Sequence, residues 1–316
     1  MPRRVLITGI TGFAGSHLAE HAVASGDEVH GLAFEEPPYP NLGAIAPDVR
    51  IHRGDLSDPA SVRDAVSAAR PDVIVHLAGQ AVPSLAAQDP QAAIRVNVLG
   101  TSSVVEAARP EGVRVVFAST AEVYGVPDGP AREDAPLRPP NAYAATKVAA
   151  EALVRTLPEA VILRPVNQVG PRQHPALAAS AFARQIALAE QGAAEPVIRH
   201  GRLDASRDII DVRDMARAYR LAAELDGRQT LNVGSGNAVR MQELFDMLVA
   251  MSRVPLRTEL DPERVRAGDP ATVSVDSTAF RVRTGWKPEI ELRRSLADLL
   301  EHWRARVRTG TALARA

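Results

Sequence analysis

The stretch Val5-Leu6-Ile7-Thr8-Gly9-Ile10-Thr11-Gly12-Phe13-Ala14-Gly15 decides the fold. Its first half is a short apolar run without polar alternation, the pattern of a strand covered on both faces. From Gly9 onward a glycine returns every third residue, and the pattern that follows to Ser25 is helical. Glycine permits the tight turn, removes the Cβ that would block a pyrophosphate, and lets the helix N-terminus aim free N–H groups at an anion. Gly9, Thr11, Gly12, Phe13, Ala14 and Gly15 are therefore candidate dinucleotide-binding residues.

Outward from this turn, short runs rich in Val, Ile and Leu lie at Val5–Gly9, Glu28–Leu32, Val49–Arg53, Asp72–Ala78, Val113–Ala118 and Val161–Arg164. Helical patterns over Gly15–Ser25, Pro59–Ala69, Pro90–Ala108 and Tyr143–Thr156 separate them. The alternation predicts an α/β chain with a Rossmann-type, doubly wound parallel sheet. After about Pro165 the rhythm changes. A helix near Ala179–Gln191, a strand near Pro196–His200 and helices near Val212–Leu225, Val239–Arg253 and Leu292–Arg306 read as a smaller C-terminal substrate-binding lobe. The expected division is 1–165 for the dinucleotide-binding domain, 166–308 for the lobe and 309–316 for a frayed tail. Ile209–Asp211 and Thr230–Val233 are the segments expected to return to the main sheet.

Composition narrows the function. The 316 residues include 46% hydrophobic, a globular balance, and 37 Lys plus Arg set against 38 Asp plus Glu leave a net charge of −1. No global field recruits nucleic acid or an anionic membrane, so any anionic ligand must be caught locally. The absence of cysteine excludes disulfides, thiolate metal sites and thiol catalysis. With no apolar run long enough for a membrane span or a signal peptide, a cytoplasmic protein is expected. Of the eight histidines only His17 and His21 stand one helical turn apart, and the sequence reads them as a surface pair without a metal role.

Gly31-Leu32-Ala33-Phe34-Glu35-Glu36 follows the second strand, where the adenosine ribose is gripped. Its acids accept from ribose hydroxyls and repel a 2′-phosphate, which favours NAD over NADP. Asp55 and Leu56 after the third strand, and Leu77, Ala78 and Gly79 after the fourth, extend the expected cofactor surface. Tyr143 and Lys147 stand four apart and share a helix face. A phenol with a pKa near 10 is a poor proton donor or acceptor at pH 7 unless a neighbouring ammonium stabilises its anion. Thr120, at the end of the fifth strand, sits where an open α/β sheet presents its ligands.

Taken in order, the glycine turn, Asp55-Leu56, Leu77-Ala78-Gly79, Ser119-Thr120-Ala121-Glu122-Val123-Tyr124-Gly125 and Tyr143-x-x-x-Lys147 resemble the extended short-chain dehydrogenase/reductase family, over nearly the whole chain. That family mostly acts on nucleotide-activated sugars. The resemblance implies that Tyr143 is the proton donor or acceptor, that Lys147 lowers its pKa and holds the nicotinamide ribose, and that Thr120 bonds the reacting sugar oxygen. Glu122 matches the residue that removes a proton in the 4,6-dehydratases, but related reductases also carry an acid there, so both roles remain open. Arg164-x-x-Asn167-x-x-Gly170-Pro171 resembles a family segment whose Asn touches substrate, and the backbone at Val166 would meet the nicotinamide amide. Arg207 would meet the substrate diphosphate, Arg266 is a further substrate candidate, and Arg172 and His174 are placed to touch substrate from the loop after Pro171. The compact length and the segments after Asn167 are most similar to members that reduce a 4-keto-6-deoxy sugar carried on GDP, with 4,6-dehydration or 4-epimerisation as the alternative. A nucleotide-sugar substrate, NAD or NADP as cofactor and pairing as a homodimer through Pro90–Ala108 and Tyr143–Thr156 follow from the same resemblance.

Overall fold

The computed structural model describes residues 2–265 and 272–310. In chain order the elements are β1 (Arg4–Thr8), α1 (Phe13–Ala24), β2 (Glu28–Ala33), β3 (Val49–Arg53), α2 (Pro59–Ala69), β4 (Val73–His76), α3 (Pro83–Gln88), α4 (Pro90–Ile94), α5 (Gly100–Glu111), β5 (Arg114–Ala118), α6 (Ala142–Val154) and β6 (Ala160–Pro165). There follow β7 (Asn167–Val169), α7 (Ala178–Glu190), β8 (Val197–His200), β9 (Ser206–Asp211), α8 (Val212–Ala222), β10 (Arg228–Val233), β11 (Ala238–Arg240), α9 (Met241–Val249), β12 (Arg257–Leu260), β13 (Thr272–Val273), α10 (Thr278–Thr284) and α11 (Leu292–Arg308).

Seven strands form one parallel sheet in the order β10-β6-β5-β4-β1-β2-β3. Successive side chains of a strand point to opposite faces, and both faces are apolar, as the unbroken hydrophobic runs require. Val5, Ile7, Val73, Val75 and Val116 pack with α1 and α8 on one side. Leu6, Ile74, Val115 and Phe117 pack with α2, α5 and α6 on the other. A separate apolar cluster joins α7, α9 and α11 through Phe182, Phe245, Leu296 and Trp303.

Among the described residues the chain returns to the main sheet once after β6, through β10, as expected for Thr230–Val233. Ile209–Asp211 does not return. It belongs to β9, which sits in a small four-stranded sheet with β7, β11 and β13, while β8 and β12 pair by themselves. Two helices also differ from the expected spans. Pro90–Ala108 is interrupted by a π-helical turn over Arg95–Leu99, and the helix resumes to Glu111. The expected Val239–Arg253 helix begins only at Met241, because Ala238–Arg240 pairs antiparallel with β9.

One buried ion pair fixes the helix that carries Tyr143 and Lys147. Glu151 and Arg164 are almost fully excluded from solvent, with Arg164 Nη2 2.7 Å and Nε 2.9 Å from the carboxylate. Ser119 Oγ donates to Glu151 at 2.5 Å, and Arg164 Nη1 donates to Tyr124 Oη at 2.8 Å. The network ties α6 to the ends of β5 and β6. Truncating Arg164 leaves its carboxylate partner without its main counter-charge, and breaking a buried pair in this way costs about 3–5 kcal/mol. Arg164→Met is therefore expected to lower the denaturant midpoint sharply without changing the m-value, and Glu151→Leu added to it to recover part of the loss, both read by urea unfolding.

Candidate active site

The carboxyl ends of the parallel strands open into a cleft of about 1820 Å³. That exceeds the roughly 300–1,000 Å³ of a site for one drug-sized ligand and leaves room for two. The floor is the glycine turn. Gly9 adopts φ +71°, and a Cβ there would lie 2.8 Å from Ala78 Cα; a Cβ on Gly15 would lie 2.0 Å from Gly9 O. Both positions need glycine on steric grounds, and the hollow so formed faces the N-terminus of α1, where free N–H groups favour an anion. Gly9, Thr11, Gly12, Phe13, Ala14, Gly15, Asp55, Leu56, Leu77, Ala78, Gly79 and Val166 all line this cleft, as do Phe34 and Glu35. The Glu35 carboxylate accepts from Thr11 Oγ1 at 2.9 Å, and Asp55 accepts from Ser57 N at 2.8 Å. The cradle therefore fits the pyrophosphate of a dinucleotide, with acids at its adenosine end.

Thr120, Glu122, Tyr143 and Lys147 line the same cleft. Asn141 caps α6, accepting from Ala144 N at 2.8 Å, and its amide donates to Glu122 Oε2 at 3.0 Å. Tyr143 is thereby set in the first turn of α6, with its hydroxyl near Thr120. Burial raises the Tyr143 pKa above the usual 10.0 and the Glu122 charge raises it further, against a smaller pull downward from Thr120. Lys147 Nζ donates to Ala118 O at 2.7 Å and lies 4.9 Å from the centre of the Phe117 ring. Burial lowers its pKa from 10.5 to about 8, opposed by the Glu151 carboxylate one turn further along α6. From the sequence, the ammonium is expected to stabilise the phenolate. In the folded chain the ammonium is held at the Ala118 carbonyl, and the phenol is a protonated acid.

Two expected substrate residues, Asn167 and Arg207, line the cleft from β7 and β9. Arg172 does not. It is a correction to the sequence reading: the guanidinium turns away to the Glu20 carboxylate at 2.7 Å and the Asn41 carbonyl at 2.6 Å. His174 is exposed and accepts from Ala176 N within its own turn. His17, read as a surface residue, is buried, with Nε2 3.0 Å from Pro171 O. Arg266 lies outside the described residues.

The sequence reading missed the supports of this site. Asn97 is buried in the π-helical turn, where its amide binds both backbone groups of Gln80 and donates to Thr146 Oγ1 at 2.9 Å. Thr101 Oγ1 donates to Asn97 O, so it must accept from His76 Nε2 at 3.0 Å. His76 Nδ1 then accepts from Thr8 Oγ1 at 2.7 Å, and Thr8 in turn accepts from Ala78 N at 3.2 Å. Burial, with a smaller push from Lys147, lowers the His76 pKa to about 3, so the imidazole is neutral and this chain of bonds is permanent near pH 7. A polar residue on the buried side of an apolar helix was the available signal for Asn97.

The comparisons agree with this geometry. A family model described as GDP-mannose 4,6 dehydratase matches residues 6–299. The chain belongs to the GDP-mannose 4,6-dehydratase family. It is similar to a GDP-6-deoxy-D-mannose reductase of Pseudomonas aeruginosa, 34% identical over 98% of this chain and 99% of the relative. Among solved structures it resembles RMD from Pseudomonas aeruginosa complexed with NADPH, with a TM-score of 0.82, 30% identity and coverage of 96% of this chain and 99% of the other. The UDP-glucose 4-epimerase of Thermus thermophilus in complex with NAD gives a TM-score of 0.83, 31% identity and coverage of 95% and 98%. The family match spans the cradle, Thr120, Tyr143, Lys147, Asn167 and Arg207.

The buried ammonium has a consequence for stability. Unfolded, Lys147 titrates at 10.5, but folded at about 8, so between pH 8 and 10 the unfolded chain binds the extra proton and stability rises with pH. At 1.36 kcal/mol per unit the gain approaches about 3 kcal/mol across that window. Lys147→Met is expected to remove this rise and to make the dinucleotide-free protein more stable at pH 7, measured as the urea midpoint against pH for both chains.

Proposed function

We propose that the chain reduces the C4 keto group of a nucleotide-activated 4-keto-6-deoxy sugar with NAD(P)H, taking GDP-4-keto-6-deoxy-D-mannose to GDP-D-rhamnose. One observation carries the reading: a buried, protonated Tyr143 hydroxyl stands in the cleft that Thr120, Lys147 and the glycine cradle also line. The reductase likeness along the full chain gives it its substrate.

Bound in the cradle, NAD(P)H supplies the reducing equivalent. The protein's part is the oxygen that becomes charged. Thr120 Oγ1 and Tyr143 Oη receive the sugar O4, and the Tyr143 proton passes to that oxygen as negative charge grows on it. The raised pKa keeps the phenol protonated until a stronger base, the alkoxide, appears, and Lys147 then faces the phenolate with its positive charge. Arg207 takes the diphosphate, for which a guanidinium is the natural bidentate partner, and Asn167 takes a sugar hydroxyl. The acids at the end of β2 and the exposed Phe34 ring favour NADH over NADPH. We place the division of labour at 1–165 for the dinucleotide and 166–308 for the sugar nucleotide.

A second reading is favoured by the bond from Asn141 to Glu122, which holds a carboxylate in the cleft: redox-neutral 4,6-dehydration, with Glu122 as the base. The two readings separate cleanly. With purified protein, GDP-4-keto-6-deoxy-D-mannose and NADH or NADPH, the reductase reading expects loss of nicotinamide absorbance in step with substrate. Tyr143→Phe should slow this roughly 100-fold or more, as loss of a positioned proton donor does, and Glu122→Gln should leave it within about tenfold. Turnover of GDP-mannose without added reductant, abolished in Glu122→Gln, would establish the dehydratase instead.

We further infer a cytoplasmic homodimer. Ile94 and Leu99 are 40% and 56% exposed beside the exposed alanines Ala145, Ala149 and Ala152 of α6, an apolar face across neighbouring helices. Leu99→Arg is expected to halve the mass seen by sedimentation while leaving the far-ultraviolet circular dichroism unchanged.

A further inference from the structure

The residue that the sequence sends to the substrate, Arg172, joins two parts of the protein that bind different ligands in the proposed reaction. It follows Pro171 in the turn between β7 and α7, and its φ is +72°, a left-handed conformation that a residue other than glycine adopts only when its surroundings hold it. What holds it comes from the dinucleotide side. Its guanidinium grips Glu20 of α1 in bidentate form, with both N···O distances 2.7 Å. The same Nη1 donates to Asn41 O at 2.6 Å. Asn41 Nδ2 donates to Thr11 O at 2.8 Å, inside the glycine cradle. His17, also on α1, completes the clamp. Its Nδ1 lies 2.7 Å from Arg172 Nη2 and its Nε2 3.0 Å from Pro171 O.

On its other side the clamp continues into the cleft wall. Gln173, the next residue, lines the cleft, and its amide donates to Gln168 O at 2.6 Å within β7, whose first residue is Asn167. An unbroken run of bonds therefore leads from Thr11 through Asn41, Arg172 and Gln173 to the segment Asn167–Val169. The Glu20 carboxyl is held down to a pKa of about 2, burial notwithstanding, by its bonds to His17 and Arg172, so the ion pair persists at any working pH.

We propose that Arg172 is a positioning residue that couples the two ligands: a dinucleotide that settles Thr11 and the cradle also settles the Asn167–Gln173 wall against which the sugar nucleotide binds. The inference rests on the proposed function for the identity of both ligands. A coupling of this kind is reciprocal and is read as a ratio of affinities, typically about 5- to 150-fold. A residue that only staples the fold changes the melting temperature but leaves that ratio alone.

Isothermal titration of the full chain with GDP, with and without saturating NADH, measures the ratio, and NADH titrated with and without GDP checks its reciprocity. In the wild-type chain GDP is expected to bind at least about fivefold more tightly with NADH present. In Arg172→Ala the ratio should fall to within about twofold of unity while each ligand still binds. Asn41→Ala cuts the same run at the cradle without touching the ion pair. It should do likewise, which keeps the test decisive if Arg172→Ala folds poorly. Arg172→Lys, which keeps the charge and loses the bidentate grip, should recover only part of the ratio. A ratio near one in the wild-type chain, or one unchanged in Asn41→Ala and in folded Arg172→Ala, overturns the proposal. Failure of both NADH and NADPH to bind the wild-type chain would instead remove the proposed function beneath it, and the coupling with it.

Discussion

A positive charge held out of water at the end of a central strand is the constraint on which the rest of the structure depends. Lys147 loses hydration on burial, and a single backbone carbonyl, that of Ala118, together with the face of Phe117, returns part of it. An ammonium in such surroundings keeps its proton near neutrality only if its neighbours favour the charge. The Glu151 carboxylate does so from one turn away, and it is itself fixed by Arg164 and Ser119. Behind the reactive helix there is thus an alternation of charges, each partly answering the last, and in front of it a cleft where Gly79 leaves space. A Cβ there would stand 2.7 Å from Asn97 Oδ1 and 3.7 Å from Lys147 Nζ. The site is stiff on the protein side and open on the ligand side.

The topology explains why this charge lies beside a glycine cradle at all. In the order β10-β6-β5-β4-β1-β2-β3 the crossovers reverse between β1 and β4, and the crevice at the carboxyl ends opens at that reversal. Gly9 follows β1, Ala78 lies just beyond β4 and Thr120 just beyond β5, so three strands adjacent in the sheet deliver the cradle, the backbone beside it and the hydroxyl. The neutral His76 locks the first two together through Thr8 and reaches the π-helical turn through Thr101. That turn is what places Asn97 beneath Gln80.

Most of this architecture was legible because buried parallel strands and glycine turns are local signals. Val5–Thr8 announces itself by composition, and Gly9, Gly12 and Gly15 by spacing. The cleft residues Thr120, Tyr143 and Lys147 could be read because a strand end and one helical turn have fixed geometry. What could not be read depends on contacts distant in sequence. Nothing local tells Ile209–Asp211 from Thr230–Val233: both are short, apolar and follow a loop, yet only the second meets β6, because β7 and β11 occupy the neighbourhood of the first. Arg172 follows a segment that does line the cleft, so its sequence position suggested substrate. Its partners Glu20 and Asn41 lie more than a hundred residues away and turn it in the other direction. The interruption at Arg95–Leu99 was hidden because the segment holds no Gly or Pro that would break a helix, and the widened turn serves a buried amide instead of any local preference.

The protonation state of Tyr143 bears on direction as much as on rate. A phenol whose pKa is raised by burial and by a nearby carboxylate is a reluctant acid, so it gives up its proton only to an oxygen that becomes more basic during the reaction. Reduction of a ketone creates such an oxygen; oxidation of an alcohol requires the reverse, a phenolate ready before the substrate arrives. Asn141 holds Glu122 where its charge disfavours that phenolate, while the same side chain caps the helix on which Tyr143 rides. One asparagine thereby fixes both the place of the phenol and the sign of the field upon it. The field pushes the phenol toward its protonated form, while the ammonium on the same helix stays bound to the Ala118 carbonyl. A phenol held protonated until the substrate oxygen turns basic is what the proposed reduction needs.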